Sequence, residues 1–127
     1  MKKILVDMSA VIIHTGHIRL INKAKKYGKV YIALTTDKEI KRTKKINPEL
    51  NYRQRKEILI ALKNVEAVIP SPWLIDEKFL LKYKIDKLVH GNDNKNKISK
   101  KKLLIFPRTT GISTSIIRKR CFLNYKK

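Results

Sequence analysis

Five short apolar runs, separated by segments with helical spacing, constrain this chain more than any other feature. The runs cover residues 3–8, 30–34, 65–69, 87–90 and 103–106. The first contains the unbroken Ile4-Leu5-Val6. A run of that kind fits a central parallel strand covered on both faces. Between the runs lie helical patterns at 17–27 (Ile18, Ile21, Ala24, closed by Gly28), 51–64 (Ile58, Leu59, Leu62), 73–83 (Leu74, Phe79, Leu80, Leu81) and 114–121, with Ser113 as the N-cap. Residues 38–50 are basic and interrupted by Pro48; they predict a short helix after Thr36-Asp37 and then a mobile loop. Strands alternating with helices predict a Rossmann-like α/β fold, a five-stranded parallel sheet with helices on both faces. One domain over 1–120 and a partly ordered tail over 121–127 are expected. In such sheets ligands sit beyond the carboxyl ends of the strands, where strand order reverses. Residues 14–17, Thr35-Thr36, 91–93 and 108–115 all fall at such ends.

Charge and cysteine content bound the partners less tightly. The 127 residues carry a formal net charge of +21, and most of the basic residues are lysines. That excess suits a nucleic acid, an anionic membrane or a small polyanion. It also accompanies abundant isoleucine and asparagine, as an A+T-rich coding sequence would produce, so charge alone identifies no partner. Cys121 is the single cysteine and has no intramolecular partner, consistent with a reducing cytoplasm. Met1-Lys2-Lys3 before Ile4 imitates a signal peptide, but Asp7 cuts the apolar run short. No stretch approaches the ~18 apolar residues of a membrane span.

The chemistry concentrates in two stretches. His14-Thr15-Gly16-His17 stands at a strand-to-helix switch, where unpaired N–H groups and the helix dipole favour an anion. Arg108-Thr109-Thr110-Gly111-Ile112-Ser113-Thr114-Ser115 offers a guanidinium fork and hydroxyls at another helix start. Together they suit a polyphosphate. No serine, cysteine or aspartate is arranged with a base as a nucleophile. Transfer by positioning and charge stabilisation, with Mg²⁺ bridging the phosphates, is therefore expected. A P-loop and a dinucleotide fingerprint are both missing. Zinc on His14 and His17 would want a third ligand, and His90 and Cys121 belong to unrelated segments.

These two motifs resemble those of the small HxGH nucleotidyltransferases of cytidylyltransferase type. The similarity is greatest to the glycerol-3-phosphate cytidylyltransferase branch, whose signatures are H-x-G-H and R-T-x-G-I-S-T-[TS]. The segment from Arg55 through the Val65-Glu66-Ala67-Val68-Ile69 strand also matches. The resemblance covers most of the chain, from Lys2 to about Arg118. It implies transfer of CMP from CTP to a small alcohol or sugar phosphate, with release of pyrophosphate, in a homodimer. His14, His17, Lys44 (or Lys45) and Arg108 would be catalytic. Ser9, Ala10, Gly16, Gly91, Asp93, Ser113 and Thr114 would bind the nucleotide. Arg55 would lie near the acceptor phosphate or in a supporting ion pair. Trp73 would line the acceptor pocket or pack at a helix start, and His90 would face the site or serve the structure.

Two departures stand out. The family's G-[TS]-F-D before the histidine motif is Met8-Ser9-Ala10-Val11, which loses the phenylalanine and aspartate. Its Gly-Asp-Asp turn is Gly91-Asn92-Asp93. An adenylyltransferase of the same superfamily and a nucleotide- or nucleic-acid-binding module with little turnover are the alternatives. Residues 95–102 read as a solvated basic loop, and Arg118 and Arg120 as surface or subunit contacts.

Overall fold

In a computed structural model, which describes residues 1–90, 95–107 and 109–126, the apolar runs become five parallel strands. These are β1 (Lys3–Met8), β2 (Lys29–Thr35), β3 (Val65–Ser71), β4 (Lys87–His90) and β5 (Leu103–Ile105). The sheet order is β3-β2-β1-β4-β5, and every pairing is parallel. The helices are α1 (Thr15–Lys25), α2 (Asp37–Lys44), α3 (Tyr52–Ile60), α4 (Glu77–Lys82) and α5 (Thr114–Tyr125). The period of two in the strands divides the core. Ile4, Val6, Val30, Ile32, Leu34 and Val89 meet Ile21 and Ala24 of α1 and Leu59 of α3. Leu5, Ala33 and Leu88 meet Leu80 of α4 with Ile75 and Ile85. Helices therefore cover both faces, as expected. Pro70 is tolerated inside β3 because that strand is at the sheet edge.

The helix boundaries differ from the expected ones, and local caps explain why. Asn51 caps α3 through Gln54, and the helix ends at Ile60. Its buried line is Arg55 and Leu59, one turn apart, while Ile58 is exposed. Asp76 accepts the Phe79 N–H and starts α4 there, so Trp73 and Leu74 precede the helix. Residues expected as a mobile loop form α2 up to Lys44. Thr36 caps it, Glu39 and Arg42 pair across one turn, Ile40 is buried, and Lys45 ends it in the left-handed region at φ 60°. α5 continues through the expected tail to Tyr125, since nothing in Cys121-Phe122-Leu123-Asn124 breaks a helix. Cys121 is exposed on it. Among the described residues no helix is long and apolar enough to cross a membrane.

Strand order reverses between β1, which continues toward β2 and β3, and β4, which was laid down on its other side. A cleft at the carboxyl ends of β1 and β4 follows from that topology.

Candidate functional site

A cavity of about 740 Å³ opens at those carboxyl ends. Its wall includes Ser9, Ala10, His14, Gly16, His17, Lys44, Trp73, Ser113 and Thr114. Stretches nearly 100 residues apart in sequence thus meet in one space. Gly91, Asp93 and Arg108 lie outside the described residues.

The two histidines build the start of α1 from their own side chains. His14 is the N-cap, with extended backbone at φ −142°. Its Nδ1 accepts the Gly16 N–H at 3.1 Å, while its own N–H donates to His17 Nδ1 at 3.1 Å. The rings lie 4.0 Å apart, centroid to centroid, tilted by 37°. Gly16 is required by space rather than by backbone angle. A Cβ there would stand 2.8 Å from His14 Cε1 and 2.9 Å from Nδ1. The reciprocal cap also fixes chemistry. With both Nδ1 atoms accepting, each neutral ring carries its proton on Nε2. Burial lowers the pKa of His14 below its ordinary value. Burial, then the neighbouring His14, lowers that of His17 from 6.5 to about 4. Two neutral Nε2–H donors are therefore held at a helix N-terminus, the positive end of its dipole.

Across the cavity, Ser113 caps α5 by accepting the Ile116 N–H at 3.1 Å. Thr114 Oγ1 donates to Ile12 O at 3.5 Å, tying the α5 start to the stretch before His14. Arg118, expected at the surface, lies on the cavity wall and forks onto Glu49 at 2.6 and 2.5 Å. This links α5 to the segment after α2, and the hydrogen bonds from Arg118 hold the Glu49 carboxyl below its ordinary range.

Lys44 sits in the last turn of α2, with Nζ 5.3 Å from the centroid of Trp73. Trp73 is held in turn: its backbone N–H donates to Glu39 Oε1 at 3.0 Å. The hydrogen bonds from Arg42, then from Trp73, keep the Glu39 pKa at about 2. Trp73 thus stands as a wall residue anchored to α2, ahead of any helix.

Arg55 does not line the cavity. It is 0% exposed, and its guanidinium donates to Leu50 O, Ser9 O, Thr35 O and Asp37 Oδ1 at 3.0, 2.6, 2.8 and 2.6 Å. Of the two expected roles, the geometry carries the supporting ion pair. One buried fork fastens the ends of β1 and β2 together under the site, leaving no fork for a substrate phosphate. Ala10, just beyond, has φ 46°, an uncommon backbone angle for a residue with a Cβ, in a buried position.

Sequence reasoning missed Asp7 and Asn96. Asp7 Oδ1 is 2.6 Å from His90 Nδ1, and Asp7 Oδ2 accepts from Asn96 Nδ2 at 3.3 Å. Asn96 is buried, not solvated, and its Oδ1 accepts the Ile75 N–H at 2.7 Å. All three side chains reach the cavity wall. The signal was a carboxylate next to the carboxyl end of the central strand, directly after Ile4-Leu5-Val6. His90 both faces the site and is hydrogen-bonded.

Among the described residues no group of three or more His, Cys, Asp or Glu side chains could hold a metal, and the family's motif aspartate is the buried Val11.

A doubly wound parallel sheet with two helix starts facing one cationic cleft defines a nucleotide-handling α/β enzyme. Residues 12–120 match the family model described as Cytidylyltransferase-like, and the chain belongs to that family as a nucleotidyltransferase. It is 33% identical over 124 residues to the Glycerol-3-phosphate cytidylyltransferase of Bacillus subtilis (strain 168), covering 93% of this chain and 95% of the relative. It is 24% identical over 96 residues to an Encephalitozoon cuniculi protein named Probable ethanolamine-phosphate cytidylyltransferase, covering 75% of this chain and 30% of that one. The fold is shared with the lipopolysaccharide core biosynthesis protein from Thermoplasma volcanium GSS1 at a TM-score of 0.72, 20% identity, and coverage of 86% and 98%.

Proposed function

We propose that the enzyme transfers CMP from CTP to the phosphate of a small phosphorylated alcohol. An acceptor phosphate oxygen attacks the α-phosphorus, the bond to the bridging oxygen of the β-phosphate breaks, and pyrophosphate leaves. The neutral His14–His17 pair carries this reading, because two fixed Nε2–H donors match the negative charge that grows on the α-phosphate and the leaving group. Ser113, Thr114 and the α5 start suit the β- and γ-phosphates, and Arg108 joins them by its motif. Lys44 suits the acceptor phosphate or the leaving group. Mg²⁺ enters with CTP as part of the substrate. The relative from Bacillus subtilis supports the cytidylyl group and a phosphorylated polyol as acceptor. A homodimer in the cytoplasm is part of the same proposal.

The test is thermal stabilisation by CTP and by ATP, each with Mg²⁺, together with pyrophosphate release over a panel of acceptors. A larger shift with CTP and acceptor-dependent release are expected. Equal shifts would sink the cytidylyl assignment, and release with no acceptor dependence would sink the transfer.

A further inference from the structure

Arg118 is the least expected cation on the cavity wall. It follows Thr114 by four residues on α5, so the two share a face of the helix, and Ser113, Thr114 and Arg118 all reach the wall. A helical side chain leans toward the N-terminus of its own helix, which carries the guanidinium back over the start of α5. Its partner comes from another part of the chain. Glu49 belongs to the connection between α2 and α3, and the neighbouring Leu50 N–H donates to Val11 O at 3.2 Å, three residues before His14. The fork is thereby held between the α5 start and the stretch that leads into the histidine pair.

The pair is built for exchange. Arg118 Nε donates to Glu49 Oε2 and Nη2 to Oε1, the two-pronged geometry in which a guanidinium also grips two oxygens of a phosphate. The side chains of Arg118 and Glu49 are 35% and 43% exposed, so water and salt screen their attraction and giving it up costs little. Arg55 shows the contrary case. Its guanidinium is 0% exposed and is divided among three carbonyl oxygens and the Asp37 carboxylate, so it has nothing to release. A polyphosphate carries more charge than one carboxylate and offers more acceptor oxygens, so inside the cavity it outcompetes Glu49.

Resting on the assignment of the β- and γ-phosphates to Ser113, Thr114 and the α5 start, we propose that Arg118 is a further phosphate-binding residue and that Glu49 is its placeholder. Without nucleotide, the carboxylate keeps the fork neutralised and in place. When a polyphosphate enters, the same two N–H groups leave Glu49 and donate to phosphate oxygens. A nucleoside monophosphate has no group at the α5 start and leaves the pair intact.

The experiment measures dissociation constants by calorimetry for CTP, CMP and inorganic tripolyphosphate, each with Mg²⁺. The proteins are the wild type, Arg118→Gln, Glu49→Gln and the double variant, with melting curves to confirm folding; Arg118→Lys, which keeps the charge without the fork, replaces Arg118→Gln if that variant does not fold. Loss of the fork is expected to weaken CTP and tripolyphosphate by about tenfold or more, the scale of a lost charge-assisted bond, and CMP by less than about twofold. Glu49→Gln is expected to tighten both polyphosphates by about two- to fivefold, the scale of an exposed ion pair given up. That gain should vanish in the double variant, where no fork remains for Glu49 to hold. A Glu49→Gln variant that binds polyphosphate no better than wild type makes the pair a structural strap and overturns the exchange. A gain that persists in the double variant is general relief of negative charge and overturns it too, as does an Arg118→Gln variant with unchanged affinity for tripolyphosphate. If CTP binds no more tightly than CMP while tripolyphosphate still follows the expected cycle, the triphosphate assignment of the α5 start fails and the role of Arg118 stands. A wild type that binds neither polyphosphate overturns it.

Discussion

Replacing His17 with asparagine separates its two jobs. An asparagine carbonyl oxygen reaches where Nδ1 stands and can still accept the His14 N–H, now bonded at 3.1 Å. It cannot place a donor where Nε2–H stands. The capping half of the role should survive, with folding stability at neutral pH changed by less than about 1 kcal/mol. Turnover should fall about 10²–10³-fold, the loss that follows removal of one fixed donor from developing negative charge. The two proteins should also differ in acid. The His17 pKa lies at about 4 in the fold against an ordinary 6.5. The unfolded chain therefore takes up a proton first as pH falls, and the native state loses stability through that window. At about 1.4 kcal/mol for each pH step, His17 alone should cost the wild type about 3 kcal/mol between pH 6.5 and 4. Urea denaturation across that range measures it, and pyrophosphate release measures the rate. Turnover within threefold of wild type would refute the donor role. Identical stability–pH curves for both proteins would refute the argument from burial.

Further outcomes follow from other contacts. Gly16→Ala drives a Cβ to 2.8 Å from the His14 ring; the ring must swing away, the cap is lost, and folding stability should fall by about 1 kcal/mol while turnover drops, as denaturation and rate assays would record. Arg55→Met strands three carbonyl oxygens and the Asp37 carboxylate, and should cost about 3–5 kcal/mol, visible as a large fall in Tm; a variant as stable as wild type would show the fork to be dispensable. Ser113→Ala removes the α5 cap, for a stability loss of about 1 kcal/mol, and under the proposed phosphate role it should raise KM for CTP; an unchanged KM would remove Ser113 from the proposed site.

The Ile4-Leu5-Val6 run declared a central strand buried on both faces, because a continuous apolar strand has no water-facing side, and the alternation of the five runs with helices declared the parallel sheet. The caps at His14 and Ser113 were legible because residue type and helix start coincide locally, and the expectation of an anion site was read from them. Helix ends were less legible. The capping bonds of Asn51 and Asp76 decide them, and a periodic pattern runs through such points without a mark.

What the sequence by itself determined was the sheet, its alternation with helices, and the two helix starts at His14 and Ser113 that meet at one cavity, all of them consequences of near-neighbour spacing. The roles of Arg55, Lys44, Asp7, Asn96 and Arg118 were decided by tertiary structure. A guanidinium reads the same in sequence whether it faces a substrate or three carbonyl oxygens, and Arg55 was settled by β1 and β2 closing over it. Asp7 and Asn96 stand 89 positions apart, and only the placement of β4 beside β1 brings their segments to one cleft.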